Sequence, residues 1–105
     1  MNFFFSRYNN ESMINIDGEK IWRGGEKIGW IDEGKIYSLN SGEKVGYCSG
    51  NAIYRVDGTK IGWLDGDFIK TVDGESIRIE ENREHVVGSD ESDVVRAAIR
   101  LLLGD

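Results

Sequence analysis

A hexapeptide that occurs three times at nearly equal intervals constrains the fold more than any other feature of the chain. Gly25-Glu-Lys-Ile-Gly-Trp30 is followed by Gly42-Glu-Lys-Val-Gly-Tyr47 and Gly58-Thr-Lys-Ile-Gly-Trp63, with a worn fourth copy at Gly74-Glu-Ser-Ile-Arg-Ile79. The offsets are 17, 16 and 16 residues. A second apolar pair alternates with it: Ile21-Trp22, Ile36-Tyr37, Ile53-Tyr54 and Phe68-Ile69. Self-similarity at a fixed period signals an array of one supersecondary unit that buries its apolar face against its neighbours.

Turn dipeptides divide each repeat in two. Asp17-Gly18, Gly24-Gly25, Glu33-Gly34, Ser41-Gly42, Ser49-Gly50, Asp57-Gly58, Asp65-Gly66 and Asp73-Gly74 arrive about every eight residues. Such pairs favour the tight hairpin turns that require positive φ. The pieces between them predict strands near 13–16, 19–23, 26–32, 35–40, 43–48, 51–56, 59–64, 67–72 and 75–80. The fold class is therefore mainly β, an antiparallel meander of about nine short strands with one C-terminal helix. The absence of proline from all 105 residues suits paired strands, since proline removes a ladder donor.

Two-residue turns at Asp57-Gly58 and Asp65-Gly66 would set Ala52 opposite Trp63, Ile53 opposite Gly62, Tyr54 opposite Ile61, and Trp63 opposite Phe68. The sheet is then apolar on both faces. Glycines in strand interiors (Gly29, Gly46 and Gly62) cost stability unless a close approach repays it. They predict repeats curled around an axis.

The polar stretch 81–90 leads to a helix over 90–103, with Asp90 the expected N-cap and Gly104 the stop. Its stripe of Val94, Val95, Ala98, Ile99, Leu101 and Leu102 must be buried on the body or on a second copy, with Arg96 and Arg100 on the outer face. The Phe3–Phe5 run needs similar cover. The chain reads as a single domain, 1–105, comprising a body over 13–80 and the helix.

On these residues the chain resembles the four-fold β-flower family of bacterial proteins of unknown function. The likeness rests on Ile36-Tyr37-Ser-Leu-Asn-Ser-Gly-Glu-Lys-Val-Gly-Tyr47 and Ile53-Tyr54-Arg-Val-Asp-Gly-Thr-Lys-Ile-Gly-Trp63-Leu-Asp-Gly-Asp67, and covers about residues 13–80. It implies four hairpin units around a pseudo-four-fold axis, and supplies no activity, substrate or catalytic residue. The fourth copy departs, with Arg78 and Ile79 in place of Gly-Trp. The aromatic spacing is also similar to that of choline-binding repeats, whose ring faces cage a quaternary ammonium. Those repeats are longer, richer in aromatics and exported.

Chemistry-bearing residues are few. Cys48 is the only cysteine and His85 the only histidine, so neither a disulfide nor a multi-ligand metal centre can be assembled from them. The turn aspartates Asp17, Asp57, Asp65 and Asp73 suit turn geometry rather than acid–base work. No catalytic, cofactor-binding or metal residue is expected, and the chain reads as non-enzymatic. Trp22, Trp30, Tyr37, Tyr47, Tyr54 and Trp63 are the candidate ligand-binding set, their alternative role being to fill the body. Lys27, Lys44 and Lys60 share one repeat position, either as solvated strand lysines or as a basic ring about the axis.

A net charge of −6 argues against nucleic acid, whose binding rests on lysine and arginine displacing counterions. No run of about 18 apolar residues spans a membrane. The N-terminus lacks the features of a secretory signal, so the chain reads as cytoplasmic. The expected role is a small β-repeat module for protein interaction or self-association. The alternative is a binder of a choline-like cation or a sugar.

Overall fold

The computed structural model describes residues 13–39 and 41–104. The Phe3–Phe5 run lies outside these residues. One sheet contains β1 (Ile14–Asp17), β2 (Lys20–Arg23), β3 (Glu26–Asp32), β4 (Lys35–Ser38), β5 (Glu43–Ser49), β6 (Ala52–Arg55), β7 (Lys60–Asp65), β8 (Phe68–Thr71), β9 (Ser76–Arg78) and β10 (Val86–Gly88). Helix α1 (Ile79–His85) lies between β9 and β10, and α2 (Asp93–Leu103) follows β10. No helix among the described residues is long and apolar enough to cross a membrane.

The sheet order is β10-β1-β2-β3-β4-β5-β6-β7-β8-β9. From β1 to β9 it is the expected nine-strand antiparallel meander. β10 is a tenth strand that pairs parallel to β1, setting Ile14 opposite Val86, so the whole sheet is mixed. Residues 81–90 were expected to be a polar lead-in. They hold most of α1 and all of β10, because Asn82 and Val86 are buried and tie this segment to the body.

The predicted register holds at Ala52–Trp63 and Ile53–Gly62 but breaks one residue later, where Tyr54 faces Lys60 instead of Ile61. The same break occurs at Ile21/Trp22 and at Ile36/Tyr37, so Ile28, Val45 and Ile61 are each the extra residue of a bulge. Each bulge residue's carbonyl still accepts a hydrogen bond, from the N–H of Leu39 (2.9 Å), Val56 (3.1 Å) and Val72 (3.1 Å). A bulge bends its strand and strengthens the local twist. Three at equivalent positions curl the sheet in the same sense. The β7–β8 turn is also displaced: Asp65 faces Phe68, and Trp63 faces Lys70 rather than Phe68.

Inward-facing residues repeat in rows across the strands. Ile16, Ile21 and Gly29 form one, Ile31, Ile36 and Gly46 the next, and Cys48, Ile53 and Gly62 the third. Ile16, Ile21, Ile36 and Ile53 are fully buried. The row glycines are required by close approach. A Cβ on Gly46 would lie 2.4 Å from the Tyr54 carbonyl oxygen and 2.5 Å from Leu102 Cδ1, well inside contact distance.

This close approach explains the sequence motif. Leu103, Leu102 and Leu101 of α2 reach Gly29, Gly46 and Gly62 respectively. Consecutive helix residues point about 100° apart. Three in succession can meet three successive repeats only if the sheet wraps around the end of the helix. The next residue back, Arg100, donates to Asn82 Oδ1 of α1 (3.3 Å), so α1 fills the direction that a fourth glycine strand would have taken. The pairing thus yields three equivalent repeats and a departed fourth, where Arg78 stands in the glycine's place.

α2 packs on the body with Ala97, Ala98 and Ile99 fully buried. Its N-cap is Ser92, not Asp90: the Ser92 hydroxyl accepts from the Val95 N–H (3.3 Å). Arg96 and Arg100 do not point outward as expected. The Arg96 guanidinium donates to the carbonyls of Val86 (2.6 Å), Gly88 (3.0 Å), Ser89 and Glu91 (3.3 Å), cross-linking the turn that leads into the helix. At the far end, Arg23 donates to the Leu103 carbonyl (2.6 Å), where the helix dipole is negative.

Candidate functional site

The inward face is filled by isoleucines, glycines and α2, so the outward face of the sheet is where the remaining repeated side chains collect. Strand alternation sends Lys20, Trp22, Lys27, Trp30, Lys35, Tyr37, Lys44, Tyr47, Tyr54, Lys60, Trp63 and Lys70 to this side. These include all six lysines and all three tryptophans of the chain.

They are ordered in cross-strand rows. Lys20, Trp30, Tyr37 and Lys44 stand opposite one another across β2 to β5. Lys35, Tyr47, Tyr54 and Lys60 repeat the row across β4 to β7. In the third row, Ala52, Trp63, Lys70 and Ser76, both end lysines and one ring have been replaced. Each complete row is an aromatic pair with a lysine at either end.

Within the rows the rings stack on each other. Trp30 and Tyr37 have centroids 5.0 Å apart and planes within 6°; Tyr47 and Tyr54 are 5.2 Å apart and within 12°. Lysines cover the rings as well: Lys27 Nζ lies 5.9 Å from the Trp30 centroid, Lys44 Nζ 5.5 Å from Tyr47, and Lys60 Nζ 5.0 Å from Trp63. Trp30, Tyr37, Tyr47 and Tyr54 thus each turn one face to a neighbouring ring, and Trp30, Tyr47 and Trp63 each lie beside an ammonium group.

The six candidate rings thus share one face, as the sequence indicates, but they do not enclose a cage. Within each stacked pair, rings about 5 Å apart leave no gap for a quaternary ammonium. Lys27, Lys44 and Lys60 stand on the side away from α2, so they form no ring about an inner axis; that space holds the glycines and leucines. The lysine rows are not legible in the sequence because they depend on the bulges. A straight two-residue register sets Ile61, not Lys60, opposite Tyr54.

A hollow of about 580 Å³ opens at the β1–β3 end of this face, lined by Asp17, Gly18, Glu19, Lys20, Lys27 and Trp30. Acidic residues fringe the face. Asp17, Glu19, Asp32, Glu33, Asp65 and Asp67 lie at the hairpin tips of one rim, and Glu43, Asp57, Asp73 and Glu75 along the other. The Asp57 carboxyl is held below the usual carboxylate range, first by the Thr59 backbone N–H and then by the Thr59 hydroxyl, which makes it a turn residue.

Cys48 occupies an inward position equivalent to Ile16 and Ile31, and its thiol donates to the Gly34 carbonyl (3.5 Å). Burial pushes this thiol above its ordinary range, so it stays protonated at neutral pH. Among the described residues, no three His, Cys, Asp or Glu side chains gather in a way that could hold a metal ion.

A family model described as "4-fold beta flower protein" matches residues 5–96, so the chain belongs to that family. No curated protein and no solved structure matches it.

Proposed function

We propose that this β-flower chain is a non-catalytic protein-interaction module that works through its lysine–aromatic face. The observation that carries this reading is the sorting of side chains. Every tryptophan and lysine lies on one face in repeating rows, while the other face is consumed by the core. Half-buried tryptophan and tyrosine rings are typical of recognition surfaces, where a rigid ring offers contact area at low entropic cost. The inward, protonated Cys48 lends a nucleophilic mechanism no support.

Self-association through α2 gains no support from this arrangement, since its stripe is buried on the body.

Site-specific photo-crosslinking in the source cell tests the reading. A benzophenone amino acid at Tyr47 is expected to yield a discrete protein adduct, whereas the same group at Glu81 on α1 is not. Equal adducts from both positions, or none from Tyr47, would overturn it.

A further inference from the structure

The occupant of the face can be specified further. Resting on the interaction reading above, we propose that the lysine–aromatic rows dock a single extended segment of a partner protein carrying regularly spaced Asp or Glu side chains.

Charge complementarity carries the choice. Within a chain of net charge −6, this face gathers all six lysines; Lys20 and Lys35 stand opposite the outward Asp17 and Asp32, which leaves Lys27, Lys44, Lys60 and Lys70 as its open cations. Four of the rings between them have one face covered by a partner ring, Trp30 by Tyr37 and Tyr47 by Tyr54, and leave their edges free. Positive ring edges and ammonium groups together favour anions and disfavour cations.

The rims narrow the choice. Hairpin-tip carboxylates flank the lysine band on both sides: Glu19, Glu33 and Asp67 on one, Glu43, Asp57 and Asp73 on the other. A duplex or a membrane surface would bring its phosphates against both rims. One extended chain fits between them and runs across the strands. Equivalent lysines of successive repeats are separated by two strand spacings plus the stagger each bulge introduces. Lys44 is level with Trp30, three residues along β3 from Lys27, so the separation is roughly 14 Å between Lys27 and Lys44, and again to Lys60. In an extended peptide this corresponds to an acidic residue at about every fourth position.

Binding is read with poly-L-glutamate as the probe. All three tryptophans lie on the face, so intrinsic fluorescence reports on it and on little else. A saturable fluorescence change is expected, weakened about tenfold or more by raising salt from 50 to 300 mM, as the screening of exposed charges requires. The Lys27→Gln/Lys44→Gln/Lys60→Gln variant should lose the response and the matching triple arginine variant keep it, both checked for native circular dichroism. Salt dependence of the wild-type protein provides a readout independent of any variant's folding.

No response to poly-glutamate, a salt-insensitive response, or one that survives the glutamine variant would overturn the proposal. Heparin or single-stranded DNA binding as tightly as poly-glutamate would also overturn it, by making the face a general polyanion site. A Tyr47 crosslink without poly-glutamate binding would leave the interaction reading standing and reject only the acidic segment.

Discussion

Between Ile14 and Arg78, every strand pairs with its neighbours in sequence. From Ile79 to Leu103, local ties such as Arg83–Asp93 and the Arg96 bonds are joined by others that reach back across the molecule: β10 joins β1, Ser89 Oγ accepts from the Gly18 N–H (2.7 Å), and Arg23 meets Leu103. The repeat body is held by ladders between sequence neighbours, and the cap by its own ties together with distant ones. Yet neither is complete alone. The body's glycines leave room that only α2 fills, and the apolar stripe of α2 has no cover except the body. Local hairpins are cheap to close and long loops cost more entropy, so the cap is expected to dock last.

The sharpest test falls where the two regions meet. Gly46→Val would drive a side chain into both the Tyr54 carbonyl and Leu102, and is expected to cost about 4 kcal/mol, the upper end for overpacking. Gly42→Ala at a hairpin tip, with open space but φ +71°, should cost only about 1 kcal/mol. Urea midpoints compare the two. Similar losses would mean that the motif glycine serves the turn chemistry and not the docking of the helix.

Next in size is the cap's own cross-link. Arg96→Gln removes a guanidinium that satisfies four backbone carbonyls and is expected to cost about 2 kcal/mol. Hydrogen exchange should then rise in β10 and α2 while the β3–β7 ladder stays protected. Uniform loss of protection would show that cap and body unfold as one. Ser92→Ala deletes the helix cap, for about 1 kcal/mol, with faster exchange confined to the first turn of α2.

The smallest effect concerns pH. Hydrogen bonds from Arg83 hold the Asp93 carboxyl below the usual carboxylate range. A depressed folded-state pKa stabilises above the ordinary carboxylate value and is lost as pH falls through the depressed one. Thermal melts of Asp93→Asn between pH 7 and pH 2.5 should therefore fall less steeply than those of the wild type. The pair is largely exposed, so the difference is small.

The same contrast explains what could be read in the residues beforehand. Strand positions in the body follow from turn dipeptides and β-branched runs, and each lies within a few residues of its expected place. The bulges at Ile28, Val45 and Ile61 have no compositional mark. Only the burial of two successive residues, such as Ile61 and Gly62, betrays them. α1 was hidden because Ile77 and Ile79 continue the strand pattern of a fourth repeat. β10 was hidden because Val86-Val87-Gly88 is three residues long and its partner is about 70 positions away. Of the functional face, the rings were legible from the repeat. Their lysine neighbours were not, since cross-strand opposition passes through the bulges.

The leucine run also sets a ceiling. With about 3.6 residues per turn, a helix offers about four bearings before it returns close to the first. Gly29, Gly46 and Gly62 take three of them and α1 takes the fourth, so a duplicated hairpin would arrive at a bearing already held. Open solenoids lengthen by adding modules to an end. This body has its count fixed by the angular pitch of its axle, and its evolution is confined to altering the rows it already has.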